Sequence, residues 1–189
     1  MEALATPLLC DAEQSLLVIA DLQVRLAEAM PEAEFERLLK TCIVLLEAAK
    51  TLGIPILATE QQGVALGSIC PQLLAHMPPE KRLLAKTGLA CTSAEGFDAW
   101  LKESGRAQII LAGLEAHVCV LQTAFALRSL GRQVFVVEDA VLSRSPEHKV
   151  YALERMRQAG VVVLSGESVI FEWLRDAKHP YFHKLVGLL

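Results

Sequence analysis

Six short apolar runs alternate along the chain with segments of helical periodicity. Runs rich in Val, Ile and Leu without polar alternation are typical of strands that are covered on both faces. They occupy residues 15–21, 54–60, 82–88, 107–113, 133–140 and 161–166. Because strands that alternate with helices pair in parallel, we predict a three-layer α/β/α sandwich around a six-stranded, mostly parallel, doubly wound sheet of the Rossmann-like class.

The segments between the runs carry signals for where helices begin and end. After the first run, apolar residues recur every three or four positions between Pro31, which suits a first helical turn, and Gly53, which suits a C-terminal cap. Ser93 and Ser145 are the predicted N-caps of two later helices, and a further helix is expected over 117–130. These signals complete the alternation that a doubly wound sheet requires.

Length and charge indicate a single domain and argue against nucleic-acid-binding and membrane proteins. The 189 residues are expected to form one domain over 1–189, and 53% of them are hydrophobic. The net charge is −4 and no block of like charge occurs, which argues against a nucleic-acid partner and against a basic membrane-binding surface. The apolar run 107–127 is long enough to span a membrane, but Glu115 near its middle and Gly113 predict a strand followed by a buried helix instead.

The cysteines indicate a reducing compartment. Their number, five, is odd and no Cys-x-x-Cys spacing occurs, which argues against a disulfide framework and against a thiolate zinc site. The segment "MEALATPLLCDAEQ" at the start of the sequence has no basic region typical of a signal peptide. We therefore predict a cytoplasmic protein.

Reactive side chains follow the strands at the edge where doubly wound sheets bind ligands. Asp21 ends the first run and Lys86 lies in the third, so the two can form either a structural salt bridge or a base and a cation beside a nucleophile. Cys119 falls in the first turn of the helix after the fourth run, where the helix dipole is expected to lower the pKa of the thiol. The alternative is a small core residue, which is our interpretation of the cysteines at positions 10, 42, 70 and 91.

His117 is a poor partner for Cys119. Side chains two residues apart on a helix diverge, so a His–Cys dyad has unfavourable geometry. We expect His117 to point toward the mouth of the pocket, as a substrate contact, or toward a subunit contact.

Three motifs resemble those of the isochorismatase-like cysteine hydrolases, whose relatives include nicotinamidases and N-carbamoylsarcosine amidohydrolases. They are "IADLQ" with Asp21, "LAKTG" with Lys86 and "AGLEAHVCV" with Cys119. "TEQ", "GLEAHVCVLQTA" and "DAKHP" are similar to the isochorismatase domain-containing branch, and the likeness runs from about residue 14 to 185. The resemblance implies a triad in which Cys119 attacks a carbonyl or imine-like carbon, Asp21 takes the thiol proton and Lys86 stabilises the charges of both.

The resemblance also implies a cis peptide bond between Leu114 and Glu115. In relatives this bond aims the backbone N–H groups of the residues that match Glu115 and Cys119 into an oxyanion hole, which stabilises the developing negative charge. Gly113 then avoids a side chain that would crowd the turn. Glu115 stands where many amidase relatives have Thr, and its carboxylate is expected to reach solvent or to repel anionic substrates.

Where the sequence departs from the family's motifs, fewer reactions remain possible for it. The segment "LATEQQG" lacks the Asp-x-His that binds metal in nicotinamidases, and the histidines show no ligand spacing, so we predict neither a metal nor another cofactor. Gln23 and Gln61 are candidate substrate contacts, with surface or turn roles as the alternative. The implied function is a metal-independent hydrolase that acts on a small amide or related C–N substrate through a covalent Cys intermediate.

Two further expectations concern partners. Members of this superfamily commonly form oligomers, so the resemblance implies a homo-oligomer whose substrate is a small molecule. The alternative function is a non-catalytic interaction or assembly protein on the same scaffold, in which the apolar C-terminal segment "HPYFHKLVGLL" would pack against a partner subunit rather than against its own core.

Overall fold

Six strands form the central sheet of the computed structural model, which describes residues 9–62, 65–80 and 82–189. The strands are β1 (Ser15–Ala20), β2 (Ile56–Gln61), β3 (Arg82–Lys86), β4 (Gln108–Leu114), β5 (Gln133–Leu142) and β6 (Val162–Leu164). They lie in the order β3-β2-β1-β4-β5-β6, and every neighbouring pair is parallel. The predicted fold class is confirmed.

Helices cover both faces of the sheet. The described α-helices are α1 (Val24–Glu28), α2 (Glu32–Leu52), α3 (Pro71–Leu74), α4 (Phe97–Glu103), α5 (Leu121–Ser129), α6 (Pro146–Gln158), α7 (Gly166–Leu174) and α8 (Phe182–Val186). A 3₁₀ turn, Cys91–Ser93, precedes α4, and a π-helical turn, Ala116–Val120, leads directly into α5.

The two faces of the sheet bury separate hydrophobic layers. Alternate residues of β1 point to opposite faces, so that Leu17 and Ile19 pack with α2 and α7, whereas Leu16 and Val18 pack with α4, α5 and α6. All six residues of β1 and all seven of β4 are buried. Because each fully buried leucine or isoleucine contributes roughly 1.5–3 kcal/mol, these two strands anchor the sheet.

The order of the strands reverses between β1 and β4, which places the carboxyl ends of both strands beside one crevice. Gly113, near the end of β4, has φ 114° and pairs with Ala20 of β1. A Cβ at this position would lie 2.0 Å from the Ala20 carbonyl oxygen, so only glycine permits the two strands to approach so closely. Asp21 therefore leaves β1 immediately beside the end of β4.

Of the two predicted serine caps, Ser93 is wrong and Ser145 is confirmed in position. Ser93 does not cap α4, because its hydroxyl donates to the carbonyl of Ala90 and α4 begins only at Phe97. Ser145 does stand at the N-cap of α6, but its hydroxyl donates to the carboxylate of Glu147 instead of accepting from the helix backbone. β6 is also shorter than predicted, since it is a half-exposed strand at the edge of the sheet.

The apolar run 107–127 divides into β4, the π-helical turn and most of α5, as predicted. Within residues 9–62, 65–80 and 82–189, no helix combines the length and the apolar character needed to cross a membrane. Residues 1–8, on which the signal-peptide prediction largely depends, lie outside the described residues.

Candidate active site

Asp21 leaves β1 directly into the crevice where the strand order reverses. Its backbone is in the left-handed region, with φ 46°, and its side chain is fully buried. Oδ1 accepts a hydrogen bond from the Thr59 hydroxyl at 2.7 Å, and Oδ2 lies 2.7 Å from Nζ of Lys86. A buried carboxylate needs such partners, because a bare one would be strongly destabilising.

Lys86 is the last residue of β3, and its ammonium is buried among polar atoms. Besides its ion pair with Asp21, Nζ donates to Oε1 of Gln61 at 2.6 Å and to the carbonyl of Leu89 at 3.1 Å. The sulfur of Cys119 lies farther away, at 3.7 Å. The ion pair and these hydrogen bonds hold the ammonium in place, so Lys86 acts first by holding Asp21 and the loop that follows β3.

Cys119 occupies the π-helical turn at the start of the helix after β4. This turn forms because the N–H of Val120 donates to the carbonyl of Glu115, five residues back, at 3.2 Å. The thiol group belongs to a residue that is 6% exposed, and it lies beside Asp21 and Lys86. Residues that follow or end β1, β3 and β4 thus place a carboxylate, an ammonium and a thiol in one buried crevice.

The thiol of Cys119 does not have the lowered pKa that the helix dipole predicted. Burial, followed by the negative charge of Asp21 and the hydrogen bond to it, raises the pKa of Cys119 to about 12, and the ammonium of Lys86 offsets this only in part. Desolvation of a thiolate therefore outweighs the dipole of one helical turn. The thiol is protonated at rest, and a base is needed to activate it.

Glu115 faces the loop after β5. The Leu114–Glu115 peptide bond is cis. One carboxylate oxygen of Glu115 accepts from Nε of Arg144 at 2.9 Å and from its backbone N–H at 3.2 Å. The residue is only 6% exposed, so the expectation that its carboxylate reaches solvent is wrong. Arg144 balances the negative charge that was expected to repel anionic substrates.

His117 lies against the same loop and the first turn of α6. Its Nδ1 is 2.9 Å from the Ser143 hydroxyl, and its ring lies 4.7 Å from that of His148, centroid to centroid. Burial lowers the pKa of His117, and the positive charge of Arg144 acts in the same direction. These contacts fix the ring on one wall beside the turn, and its role as a substrate contact stays a prediction.

Gln23 and Gln61 are buried and bonded to the protein itself. Nε2 of Gln23 donates to the carbonyls of Gly67 at 2.6 Å and Gln61 at 3.3 Å, and its Oε1 accepts from the N–H of Gln61 at 2.8 Å. Gln61 in turn uses its own Oε1 to accept from Lys86. Both substrate contacts therefore stay predictions, and the polar atoms that would make them are already engaged.

Thr59, Cys91 and Thr123 belong to the crevice, although none of them was a candidate site residue in the sequence analysis. Cys91 was predicted to be an ordinary core residue, yet its sulfur lies 3.3 Å from the Thr59 hydroxyl and its N–H donates to the Thr123 hydroxyl at 2.7 Å. Thr123 donates in turn to the carbonyl of Cys119 at 2.6 Å. The strand periodicity of β2 could have revealed Thr59, because residues two apart, such as Thr59 and Gln61, share a face.

The described residues offer no evident metal centre. Within 9–62, 65–80 and 82–189, no group of three or more His, Cys, Asp and Glu side chains is placed to hold a metal ion. At the end of β2, where the sequence has no Asp-x-His, Gln61 accepts a hydrogen bond from Lys86.

A doubly wound sheet that brings a thiol, a carboxylate and an ammonium together at the reversal of its strand order is what the resemblance to isochorismatase-like hydrolases implied. The isochorismatase domain matches residues 15–168, and the chain belongs to this family.

Two relatives match nearly the whole length of the chain. Isochorismatase domain-containing protein 2A of Mus musculus is 38% identical over 181 residues, which are 94% of this chain and 83% of the mouse protein. The structure of MAR1 ribonuclease from Caenorhabditis elegans is 33% identical, with a TM-score of 0.89 over 95% of this chain and 91% of that one. Both similarities cover a larger share of the chain than the family domain does.

Two structures of YcaC are each 25% identical to this chain. YcaC from Pseudomonas aeruginosa, with hexane-2,5-diol and covalent acrylamide, has a TM-score of 0.87 over 97% of this chain and 92% of that one. YcaC from Escherichia coli, described as an octameric hydrolase of unknown specificity, has a TM-score of 0.88 over 100% of this chain and 91% of that one.

Proposed function

We propose that this protein is a metal-independent cysteine hydrolase that cleaves a small amide or a related C–N bond, with Cys119 as nucleophile, Asp21 as base and Lys86 as cation. One observation carries the proposal: Nζ of Lys86 lies 2.7 Å from Oδ2 of Asp21 and 3.7 Å from Sγ of Cys119, inside a buried crevice. Membership of the isochorismatase family supports hydrolysis, and the C–N bond is our own assignment.

The reaction starts from a neutral thiol, because burial raises the pKa of Cys119. Asp21 takes the thiol proton as the sulfur bonds to the carbonyl carbon, and it returns that proton to the nitrogen as the C–N bond breaks, which leaves a thioester. Asp21 then takes a proton from water, whose oxygen attacks the thioester, and the proton passes to the departing sulfur. Lys86 offsets the negative charge on the carboxylate or the sulfur in turn.

We assign the oxyanion hole to the backbone N–H groups of Glu115 and Cys119. In a regular α-helix the N–H of Cys119 would donate to the carbonyl of Glu115, four residues back. In the π-helical turn that carbonyl accepts from Val118 and Val120 instead. This arrangement supports a free N–H on Cys119 directly beside its own sulfur, where a donor to an oxyanion is typically worth about 3 kcal/mol in the transition state.

Burial and one relative support a small molecule as the substrate. Cys119 is 6% exposed, so the reacting carbon must enter a confined space. YcaC from Pseudomonas aeruginosa, a relative of the same fold, holds covalent acrylamide, which is a small amide. We infer that the crevice of this protein admits compounds of similar size.

The name of the Caenorhabditis elegans relative raises RNA cleavage as a different reaction. Two features favour the amide over RNA. The ammonium of Lys86 is already paired with Asp21, and the chain has a net charge of −4, whereas RNA-binding surfaces neutralise phosphates with unpaired Lys and Arg. RNA therefore serves as the competing substrate in the experiment below.

We further propose that the protein is a homo-oligomer of the cytoplasm whose substrate is a small molecule. The octameric relative supports self-association. The five cysteines are free and buried thiols, as suits a reducing compartment.

A screen of small amides, ureides and carbamoyl compounds tests the proposed function, with Cys119→Ala as the blank and an RNA oligonucleotide as the competing substrate. We expect release of ammonia or an amine from at least one compound, at a rate that falls by about 10³-fold or more in Cys119→Ala, because the nucleophile is lost. Mass spectrometry of a slowly hydrolysed compound should find an acyl adduct on Cys119. Amide hydrolysis that survives in Cys119→Ala, or cleavage of RNA alone, would overturn the proposal.

A further inference from the structure

β2 contributes none of the three proposed catalytic residues, although it lies between the strands that supply Asp21 and Lys86. The sheet order places β2 between β1 and β3. Thr59 and Gln61, two residues apart on the same face of β2, each bond to one of the two charged side chains. This strand is therefore the structural link between the base and the cation.

Thr59 holds the carboxylate of Asp21 from one side. The residue is fully buried, and its hydroxyl donates to Oδ1 of Asp21 at 2.7 Å. A hydroxyl has one proton and a carboxylate can only accept, so this proton is committed to Asp21. The contact of 3.3 Å between the Thr59 oxygen and the Cys91 sulfur must then use the proton of the thiol, which makes Cys91 a donor. Burial raises the pKa of Cys91 to about 11, which agrees with a neutral thiol.

Gln61 holds the ammonium of Lys86 in a comparable way. Its Oε1 accepts from Nζ at 2.6 Å, the shortest contact of that ammonium. Its Nε2 donates to the carbonyl of Thr87 at 2.7 Å, and its backbone N–H donates to Gln23. The amide group is thus fixed from both ends and cannot turn without breaking a bond to the loop after β3.

We propose that Thr59 and Gln61 are positioning residues, which together orient the Asp21 carboxylate and the Lys86 ammonium toward the sulfur of Cys119. Oδ1 of Asp21 accepts the hydrogen bond from Thr59, whereas Oδ2 lies 2.7 Å from Nζ of Lys86 as an ion pair and has no hydrogen-bond partner of its own, so it is open to receive the thiol proton. Without the Thr59 bond the carboxylate would rotate about its χ2 torsion and spend less time in line with the thiol. This inference rests on the proposed function, since it assigns the parts that align the same base.

The test separates the hydroxyl of Thr59 from its methyl group. Thr59→Val keeps the shape and removes the hydroxyl, whereas Thr59→Ser keeps the hydroxyl and removes the methyl. The readout is the rate at which iodoacetamide alkylates Cys119 at pH 7, followed by mass spectrometry of the full-length protein after digestion. Thr41→Val, which removes an exposed hydroxyl that bonds only within its own helix at Arg37, is the matched control.

We expect Thr59→Val to slow alkylation roughly tenfold, since one hydrogen bond to a charged group is lost, and Thr59→Ser to stay within about twofold of the wild type. Thr41→Val should leave the rate unchanged. Equal losses in Thr59→Val and Thr59→Ser would assign the effect to packing and overturn the proposal, as would no loss in either. If Thr59→Val does not fold, the same comparison is made at Gln61. Gln61→Met removes the acceptor for Lys86 and should slow alkylation, whereas Gln61→Glu keeps an acceptor and should not. Equal losses in both, or no loss in either, would overturn the proposal.

Asp21→Asn distinguishes failure of this inference from failure of the proposed function. If the wild type is alkylated at Cys119 much faster than Asp21→Asn, but Thr59→Val behaves as the wild type, the positioning role is wrong and the proposed base remains. If Asp21→Asn is alkylated as fast as the wild type, Asp21 is not the base, and both proposals are overturned together.

Discussion

Two ion pairs adjoin the helical segment that carries Cys119, and they differ in their exposure to water. The side chains of Lys86 and Asp21 are both 0% exposed, whereas in the second pair Glu115 is 7% exposed and Arg144 is 62% exposed. Water and salt can replace an exposed pair at little cost, but a buried pair cannot be broken without leaving a bare charge. The Lys86–Asp21 pair, the inner pair, is therefore a structural part of the crevice. The Arg144–Glu115 pair, the outer pair, only sets the charge at the edge of the crevice.

Lys86→Met tests the inner pair and should have the largest effect. Met keeps much of the side-chain volume and removes the charge, so that Asp21 is left buried without its partner. The free energy of unfolding, measured with denaturant, should fall by about 3–5 kcal/mol. The double variant Asp21→Asn/Lys86→Met, neutral at both positions, should recover most of this loss and remain inactive. A double variant as unstable as the single one would show that packing, and not charge, is what Lys86 provides.

The pH dependence of Cys119 alkylation shows what the inner pair does for the thiol. With a pKa of about 12, only about one thiol in 10⁵ is ionised at pH 7, and unassisted alkylation should rise about tenfold per pH unit. Proton transfer to Asp21 removes the need for a preformed thiolate, so the wild-type rate should change by less than about threefold between pH 6.5 and 8.5. Asp21→Asn should restore the steep rise. A steep rise in the wild type would contradict the assignment of Asp21 as base.

Much of the fold was predictable because hydrophobic periodicity reports burial. All six residues of β1 are apolar or small and all are buried, and Gly53 ends α2 with the left-handed φ of 67° that a glycine cap provides. The place of the crevice followed from the same pattern, since Asp21 and Lys86 interrupt it at strand ends. Sequence spacing was less informative at Ser93, where a 3₁₀ turn replaces the expected start of the helix.

The chemistry of the crevice was less predictable, because it depends on contacts between residues far apart in the chain. The pKa of Cys119 rises through burial, which the apolar run around it does predict, and through the negative charge of Asp21, which the local pattern of its helix cannot show. Gln61 is 25 residues from Lys86 in sequence but is bonded to it, and Arg144 is 29 residues from the Glu115 carboxylate that it balances. A local pattern places a residue on an element, and only the packed sheet determines its partners.

Arg144→Met tests the outer pair and should have the smallest effect. Arg144 is largely exposed but Glu115 is only 7% exposed, so the loss of Arg144 should lower the free energy of unfolding by about 1–2 kcal/mol and leave the alkylation rate of Cys119 unchanged. The carboxylate of Glu115 then lacks its counter-charge, so the KM of anionic amides should rise while that of neutral amides stays the same. Adding Glu115→Gln to Arg144→Met removes the bare carboxylate and should restore the KM of the anionic compounds. If Arg144→Met instead destabilised the protein as much as Lys86→Met, the two pairs would share one role, and exposure to water would not be what separates them.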